Sequence, residues 1–131
     1  MYNNKLYSEL ILFIEACESG SLFLDIDLKS MNAWALTATN ASFPSWGTYC
    51  YPHDKIDGNH MYTCLGDLFS VTWMSYLEAN ENKLRELTLE QLYHDIHQEV
   101  SIKSEVQTFG DKHITNQAVE TVFLQDPSVT Q

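Results

Sequence analysis

Blocks of apolar residues separated by polar, turn-rich stretches divide this chain into a few elements. Residues 10 to 16 form a nearly continuous apolar run of strand length, the pattern of a strand covered on both faces. Ala33-Trp34-Ala35-Leu36-Thr37-Ala38-Thr39 predicts a second short strand. A stretch rich in turn formers follows, from Asn40 to about Thr63. Between Leu65 and Leu77 the positions Leu65, Leu68, Phe69, Thr72 and Tyr76 fall on one helical stripe. The segment Glu78 to Arg85 is polar and reads as a connection. Thr88 and Gln91 have capping-box spacing, and Leu89, Leu92, Tyr93, Ile96 and Val100 behind them predict a helix near 89 to 103. Val106 to Phe109 predicts a last short strand, and the tail after Leu124 is expected to fray.

Strands alternating with helices imply an α/β layer architecture. Only two or three strands are encoded, too few to complete a parallel sheet around a doubly covered strand. The unpaired edge would be an aggregation hazard. The expectation is therefore an incomplete half of a domain, with residues 1–125 as the folded part and 126–131 as a frayed tail.

Composition narrows the function. The chain has 131 residues, about one domain's worth, and its 44% apolar content supports a sizeable core. Acidic residues outnumber basic ones by 18 to 7, giving a net charge of −11, and Arg85 is the single arginine. Nucleic-acid affinity rests on Lys and Arg neutralising phosphates, so no nucleic-acid partner is expected, and anionic membrane surfaces are disfavoured for the same reason. An acidic surface loses much of its self-repulsion at low pH, which suits a vacuole or lysosome. No apolar stretch approaches the roughly 18 residues of a membrane span. Residues Met1 to Lys5 lack the features of a signal peptide, which taken alone points to the cytosol.

The chemistry-bearing residues cluster around three markers. Cys17 follows the first predicted strand, in Glu15-Ala16-Cys17-Glu18-Ser19-Gly20-Ser21. Free cysteine is often simply buried and inert, yet the crevice beyond strand carboxyl ends is where open α/β sheets bind ligands. Glu15 and Glu18 would raise a thiol pKa, so a reactive Cys17 needs a base from elsewhere. Cys50 and Cys64 flank a loop of about 15 residues and could form a disulfide worth about 3 kcal/mol, or be two unrelated thiols. Asp67 opens the predicted helix, where a carboxylate can cap free amides.

The Cys17 motif, Ser45-Trp46-Gly47-Thr48-Tyr49-Cys50, Cys64-Leu65-Gly66-Asp67-Leu68 with Trp73-Met74 beyond it, and Phe109-Gly110-Asp111 occur in the order and approximate spacing of the plant-type legumains, the asparaginyl endopeptidases. This chain resembles that family over nearly its whole length, to about Leu124. The resemblance implies the three-layer α-β-α sandwich of the caspase-like fold and a cysteine-type endopeptidase cleaving after asparagine, and after aspartate at acidic pH. It makes Cys17 the nucleophile, with its own backbone N–H in the oxyanion hole. It places Glu15, Ser45 and Asp67 in the S1 pocket, where carboxylates accept from the two donor hydrogens of an asparagine side chain. It also pairs Cys50 with Cys64. Neither cofactor nor metal is implied; the partners are protein or peptide substrates with Asn at the cleavage site, in a vacuole or lysosome.

Three departures from the family pattern stand out. Pro44 replaces a serine beside Ser45, which removes a hydroxyl and a backbone donor. The loop Tyr51 to Tyr62 lacks a proline-rich stretch. The family's catalytic histidine, in a His-Gly pair, lies ahead of the cysteine strand, and no histidine precedes Cys17 here. The chain thus reads as the C-terminal half of a legumain-like catalytic domain, inactive by itself. Of the five histidines, His53 and His60 lie in the Cys50–Cys64 loop, His94 and His97 share a helix face, and His113 is uninformative. Asp54, Asp57 and Gly58 lack the spacing of a calcium loop. Asn40-Ala41-Ser42 is a glycosylation sequon beside the pocket, expected to be unmodified. Rival readings are a non-catalytic binding or regulatory fragment and the related transamidase subunit that attaches lipid anchors.

Overall fold

A computed structural model describes residues 1–100 and 103–123. Strands β1 (Leu10–Ile14), β2 (Ala33–Thr37) and β7 (Gln107–Gly110) form a sheet in the order β1-β2-β7. Between β2 and the first helix lie four two-residue strands: β3 (Gly47–Thr48), β4 (Lys55–Ile56), β5 (Asn59–His60) and β6 (Gly66–Asp67). The helices are α1 (Leu68–Ala79), α2 (Leu89–Val100) and α3 (Val119–Phe123). The chain is a mixed α/β protein, as its pattern predicts.

The sheet is mixed, not parallel throughout. β1 runs parallel to β2, with Leu10 opposite Ala33 and Ile14 opposite Thr37, whereas β7 is antiparallel to β2. The alternation of side chains across a strand divides β2 between two faces. Trp34 and Leu36 pack with Phe69 of α1, Leu89, Leu92, Ile96 and Val100 of α2, and Val119 of α3. Ala33 and Ala35 face the other way, against Leu28, Phe23 and Met31. That second face is covered by the short 3₁₀ turns Ser19–Phe23 and Lys29–Met31. Among the described residues the helices all serve one face, so a full three-layer sandwich is not formed by them.

Several predicted boundaries shift, each for a physical reason. The first strand ends at Ile14, two residues early, because Glu15 turns toward α1 instead of continuing the ladder. Every residue of β1 is half-buried, against the doubly covered strand expected, since among the described residues β1 has a strand neighbour on one side alone. The helix expected from Leu65 starts at Leu68, because Gly66 and Asp67 are drawn into pairing with Thr48 and Gly47. The polar connection after it keeps Ala79 helical and adds a 3₁₀ turn at Glu81–Lys83. At the start of α2 the Thr88 hydroxyl accepts the Gln91 N–H at 3.2 Å, half of the predicted capping box. Residues 101–102, at the predicted end of this helix, and the tail from 124 lie outside the described residues.

Phe13 joins the strand to the helices. Its ring lies 5.1 Å from Trp73, 5.5 Å from Phe123 and 6.2 Å from Trp34, an edge-and-face cluster of the kind aromatic quadrupoles favour. β1 is thus seated on the helical layer, and its carboxyl end delivers the next residues to the start of α1.

Candidate active site

Glu15 leaves β1 beside the first turn of α1. A helix N-terminus presents amides without intrahelical partners, and Glu15 Oε2 accepts one of them, the Ser70 N–H, at 2.8 Å. Asp67 occupies the N-cap position but makes no side-chain cap bond. The capping role expected of Asp67 is therefore filled by a carboxylate 55 residues from the amide it satisfies. The other Glu15 oxygen, Oε1, is buried with no hydrogen-bond partner among the described residues. Burial is the largest influence on this carboxyl and raises its pKa above 4.5; the Ser70 amide and hydroxyl oppose that, the Asp67 charge adds to it, and the Ser45 hydroxyl opposes it, the two hydroxyls lying near the carboxyl without completing a hydrogen bond to Oε1.

Cys17 is exposed and is the single free cysteine. Its sulfur lies 3.9 Å from the Ser45 carbonyl oxygen and 3.8 Å from the Ser45 hydroxyl. The turn around it is tightly anchored. The Glu18 N–H donates to the Phe43 carbonyl at 2.8 Å and the Gly20 N–H to the Thr39 carbonyl at 3.1 Å. The buried Ser19 hydroxyl accepts the Thr39 N–H and donates to its carbonyl. Glu18 adopts the left-handed region, with φ of 54°, which bends the chain so that both anchors are met.

The wall opposite Cys17 is carried by residues 40 to 67. Cys50 and Cys64 form a disulfide, and β3 pairs with β6 so that Gly47 faces Asp67. The Leu68 N–H donates to the Trp46 carbonyl at 2.7 Å, which brings the segment after Ser45 to the head of α1. Glu15, Ser45 and Asp67 therefore converge beside Cys17, from a strand end, a loop and a helix start.

The other candidates lie elsewhere. No described histidine is within hydrogen-bonding reach of the Cys17 sulfur, whose contacts are both to Ser45. His60 is tied to Asp54, Nδ1 to Oδ1, at 2.6 Å, and the second Asp54 oxygen accepts the Tyr62 N–H at 2.7 Å. His53 caps a turn through its N–H to the Cys50 carbonyl. His94 and His97 pack on Tyr93, with ring separations of 5.2 and 5.6 Å. No group of three potential metal ligands occurs among the described residues. No described helix is long and apolar enough to cross a membrane. A cleft of about 270 Å³ lined by Ser8, Glu9, Ile11, Gln117, Thr121 and Val122 sits at the opposite end of β1 from Cys17 and holds no thiol, so shape and chemistry point to different places. Chemistry is the better guide, since reactivity needs the thiol.

The pairing of buried Asp54 with half-buried His60 and the β4–β5 hairpin escape the hydrophobic pattern. Asp57-Gly58 at the hairpin tip was a readable signal: both residues have positive φ, 50° and 82°, as a two-residue hairpin turn requires. The Ser19–Thr39 clamp had no sequence signal.

Comparison with known proteins identifies the family. The Peptidase C13 family model matches residues 1–126. A vacuolar-processing enzyme of Glycine max is 41% identical over 128 residues, covering 93% of this chain and 26% of the relative. A legumain of Canavalia ensiformis is 36% identical with the same coverage, and the vacuolar-processing enzyme delta-isozyme of Arabidopsis thaliana is 33% identical over 97% of this chain and 28% of its own. The chain spans about a quarter of the length of these relatives. With an exposed cysteine at the end of a sheet strand and two carboxylates beside it, this chain belongs to the peptidase C13 family, the legumains.

Proposed function

We propose that this chain is the C-terminal part of the catalytic domain of a cysteine endopeptidase that cleaves after asparagine, and after aspartate at acidic pH. The observation that carries this reading is Glu15: one oxygen holds the Ser70 amide, and the other is buried without a partner. A buried acceptor left unpaired is costly and is relieved by a donor. The carboxamide of asparagine supplies N–H donors to Glu15 and Asp67 and a carbonyl acceptor. An aspartate in that position meets two carboxylates, and its binding improves as acidification neutralises them.

In the proposed reaction the Cys17 thiolate attacks the backbone carbonyl carbon of the asparagine itself. The C–N bond breaks, the amine leaves with a proton from the base, and water hydrolyses the thioester to regenerate the thiol. The Cys17 N–H supports the oxyanion. The base is a histidine from outside these 131 residues, which with the missing pocket wall completes the three-layer fold. Protein processing in a vacuole or lysosome is the setting, supported by the relatives named vacuolar-processing enzymes.

The test is turnover of fluorogenic peptides with Asn, Asp or Gln before the scissile bond, by the native full-length protein. Asn turnover that vanishes in Cys17→Ala supports the reading. Turnover with no preference for Asn, or turnover surviving Cys17→Ala, overturns it. The isolated 131-residue chain is expected to be inactive.

A further inference from the structure

We propose that Asn40 is a positioning residue that sets the separation between the Cys17 thiol and the Ser45 wall; this rests on the cysteine-peptidase reading above. Asn40 Oδ1 accepts two backbone donors of its own loop, the Ser42 N–H at 2.8 Å and the Phe43 N–H at 2.9 Å. Its Nδ2 donates to Glu105 Oε2, on the segment leading into β7. One side chain therefore closes the turn and fastens it to the sheet. The Phe43 carbonyl in that turn receives the Glu18 N–H, next to Cys17, and Ser45 follows two residues later. Pro44 between them restrains the backbone on both sides, so displacement of the turn passes to Ser45 rather than being absorbed.

The close approach of the two loops leaves little room for slack. A Cβ on Gly20 would stand 2.9 Å from the Asn40 carbonyl carbon and the Ala41 nitrogen. The cysteine turn thus rests directly on the Asn40 backbone. The Ser19–Thr39 clamp fixes one side of that contact, and the Asn40 amide fixes the other, on which Ser45 lies. Nδ2 is also the atom an N-linked glycan would take, which would leave it a single N–H for the Glu105 link.

The experiment uses full-length protein made without N-glycosylation and compares Asn40→Ala, Asn40→Asp, and Asn40→Asp combined with Glu105→Gln. Asn40→Asp keeps the turn acceptor but sets a carboxylate against Glu105; in the pair, the glutamine amide can donate back. Misplacement of a reacting group by about 1 Å can cost on the order of a hundredfold. The expected result is a fall in kcat of about ten- to a hundredfold for Asn40→Ala and for Asn40→Asp, with KM within about threefold, and recovery of most of the Asn40→Asp loss in the pair. A kcat that does not change, that falls only with the folded fraction, or that the pair fails to restore overturns the proposal. If Asn40→Ala does not fold, Asn40→Asp against the pair decides alone. If the wild type cleaves no Asn peptide, the peptidase reading fails separately. The rate of Cys17 alkylation by iodoacetamide then reads the positioning: altered in Asn40→Ala and restored in the pair supports it, and equal rates overturn it.

Discussion

The sheet-and-helix body and the excursion from Thr39 to Leu68 are held by different forces. Buried apolar side chains crowd the body on both sides of the excursion, yet not one lies between Ala38 and Phe69. Within it the buried side chains are polar, Thr39 and Asp54, while Trp46, Tyr49, Tyr51, Ile56, Met61 and Tyr62 are exposed. Non-directional hydrophobic burial therefore holds the body. The excursion relies on discrete links: the disulfide, the β3–β6 pairing, the Asp54 bonds and the Asn40 turn. The site lies on the seam, with Cys17 and Glu15 delivered by the body and Ser45 by the excursion. Damage to the body should unfold everything; damage to a link should move one wall.

The largest effect is expected in the body. Leu92→Ala removes a fully buried side chain of α2 and should cost about 2–5 kcal/mol, read as a lower midpoint of global chemical unfolding. Replacing Cys50 and Cys64 together by serine frees a loop that constrains the unfolded chain by at most about 3 kcal/mol. The contrast lies in where the change appears: faster proteolysis between Tyr51 and Tyr62, with a smaller shift in global unfolding than Leu92→Ala. An equal global shift would mean that the two regions are one cooperative unit.

Glu15→Gln acts at the seam. The folded pKa of Glu15 is raised, so its contribution to stability is present below its ordinary value of 4.5 and lost as pH rises through the higher folded value. Removing the charge should therefore stabilise the protein modestly near pH 7 and have no effect below about pH 4, by thermal melts across pH. Turnover of Asn peptides should fall at least about tenfold in the same variant, since one pocket acceptor becomes an amide.

Within the excursion, Asp54 has the opposite sign. Its hydrogen bond from His60 is the chief cause holding its pKa below 3.8, so its stabilisation is present above that value and lost as pH falls through the lower folded one. Hydrogen exchange at Lys55 to His60 should keep its protection down to about pH 4, allowing for the intrinsic rate, and lose it at lower pH. Lys55, opposite His60 in the hairpin, and the Tyr51 and Tyr62 rings against His60 are the groups facing this pair. His60→Ala should raise exchange there at every pH while leaving α2 unchanged. The smallest effect is expected at Arg85, whose side chain is 83% exposed where it meets Glu120. Arg85→Ala should leave the melting temperature unchanged within error, as solvent screens such pairs.

Reading the body from sequence succeeds because its signals are local. The stripe at Leu89, Leu92, Ile96 and Val100 lies on one helix face whatever surrounds it, and all four residues are buried. The site is less legible. The resemblance nominated Glu15, Ser45, Asp67 and Cys17, and the fold does bring them together, but the bond from Glu15 to Ser70 spans 55 residues and has no periodic signature. The same holds for Asn40 with Glu105, 65 residues apart.

By itself, the sequence placed β1, β2, β7, α1 and α2 to within a few residues, set the cysteine motif after a strand, and carried the family resemblance, because short-range periodicity and turn chemistry act over a few residues. Tertiary structure alone decided that β7 runs antiparallel, that β1 is half-buried, that Glu15 rather than Asp67 caps α1, and that Asp54 pairs with His60 inside the excursion. Those outcomes depend on how loops of tens of residues close. The cost of closure varies only slowly with length, so many pairings are nearly equal until packing of the whole chain selects one.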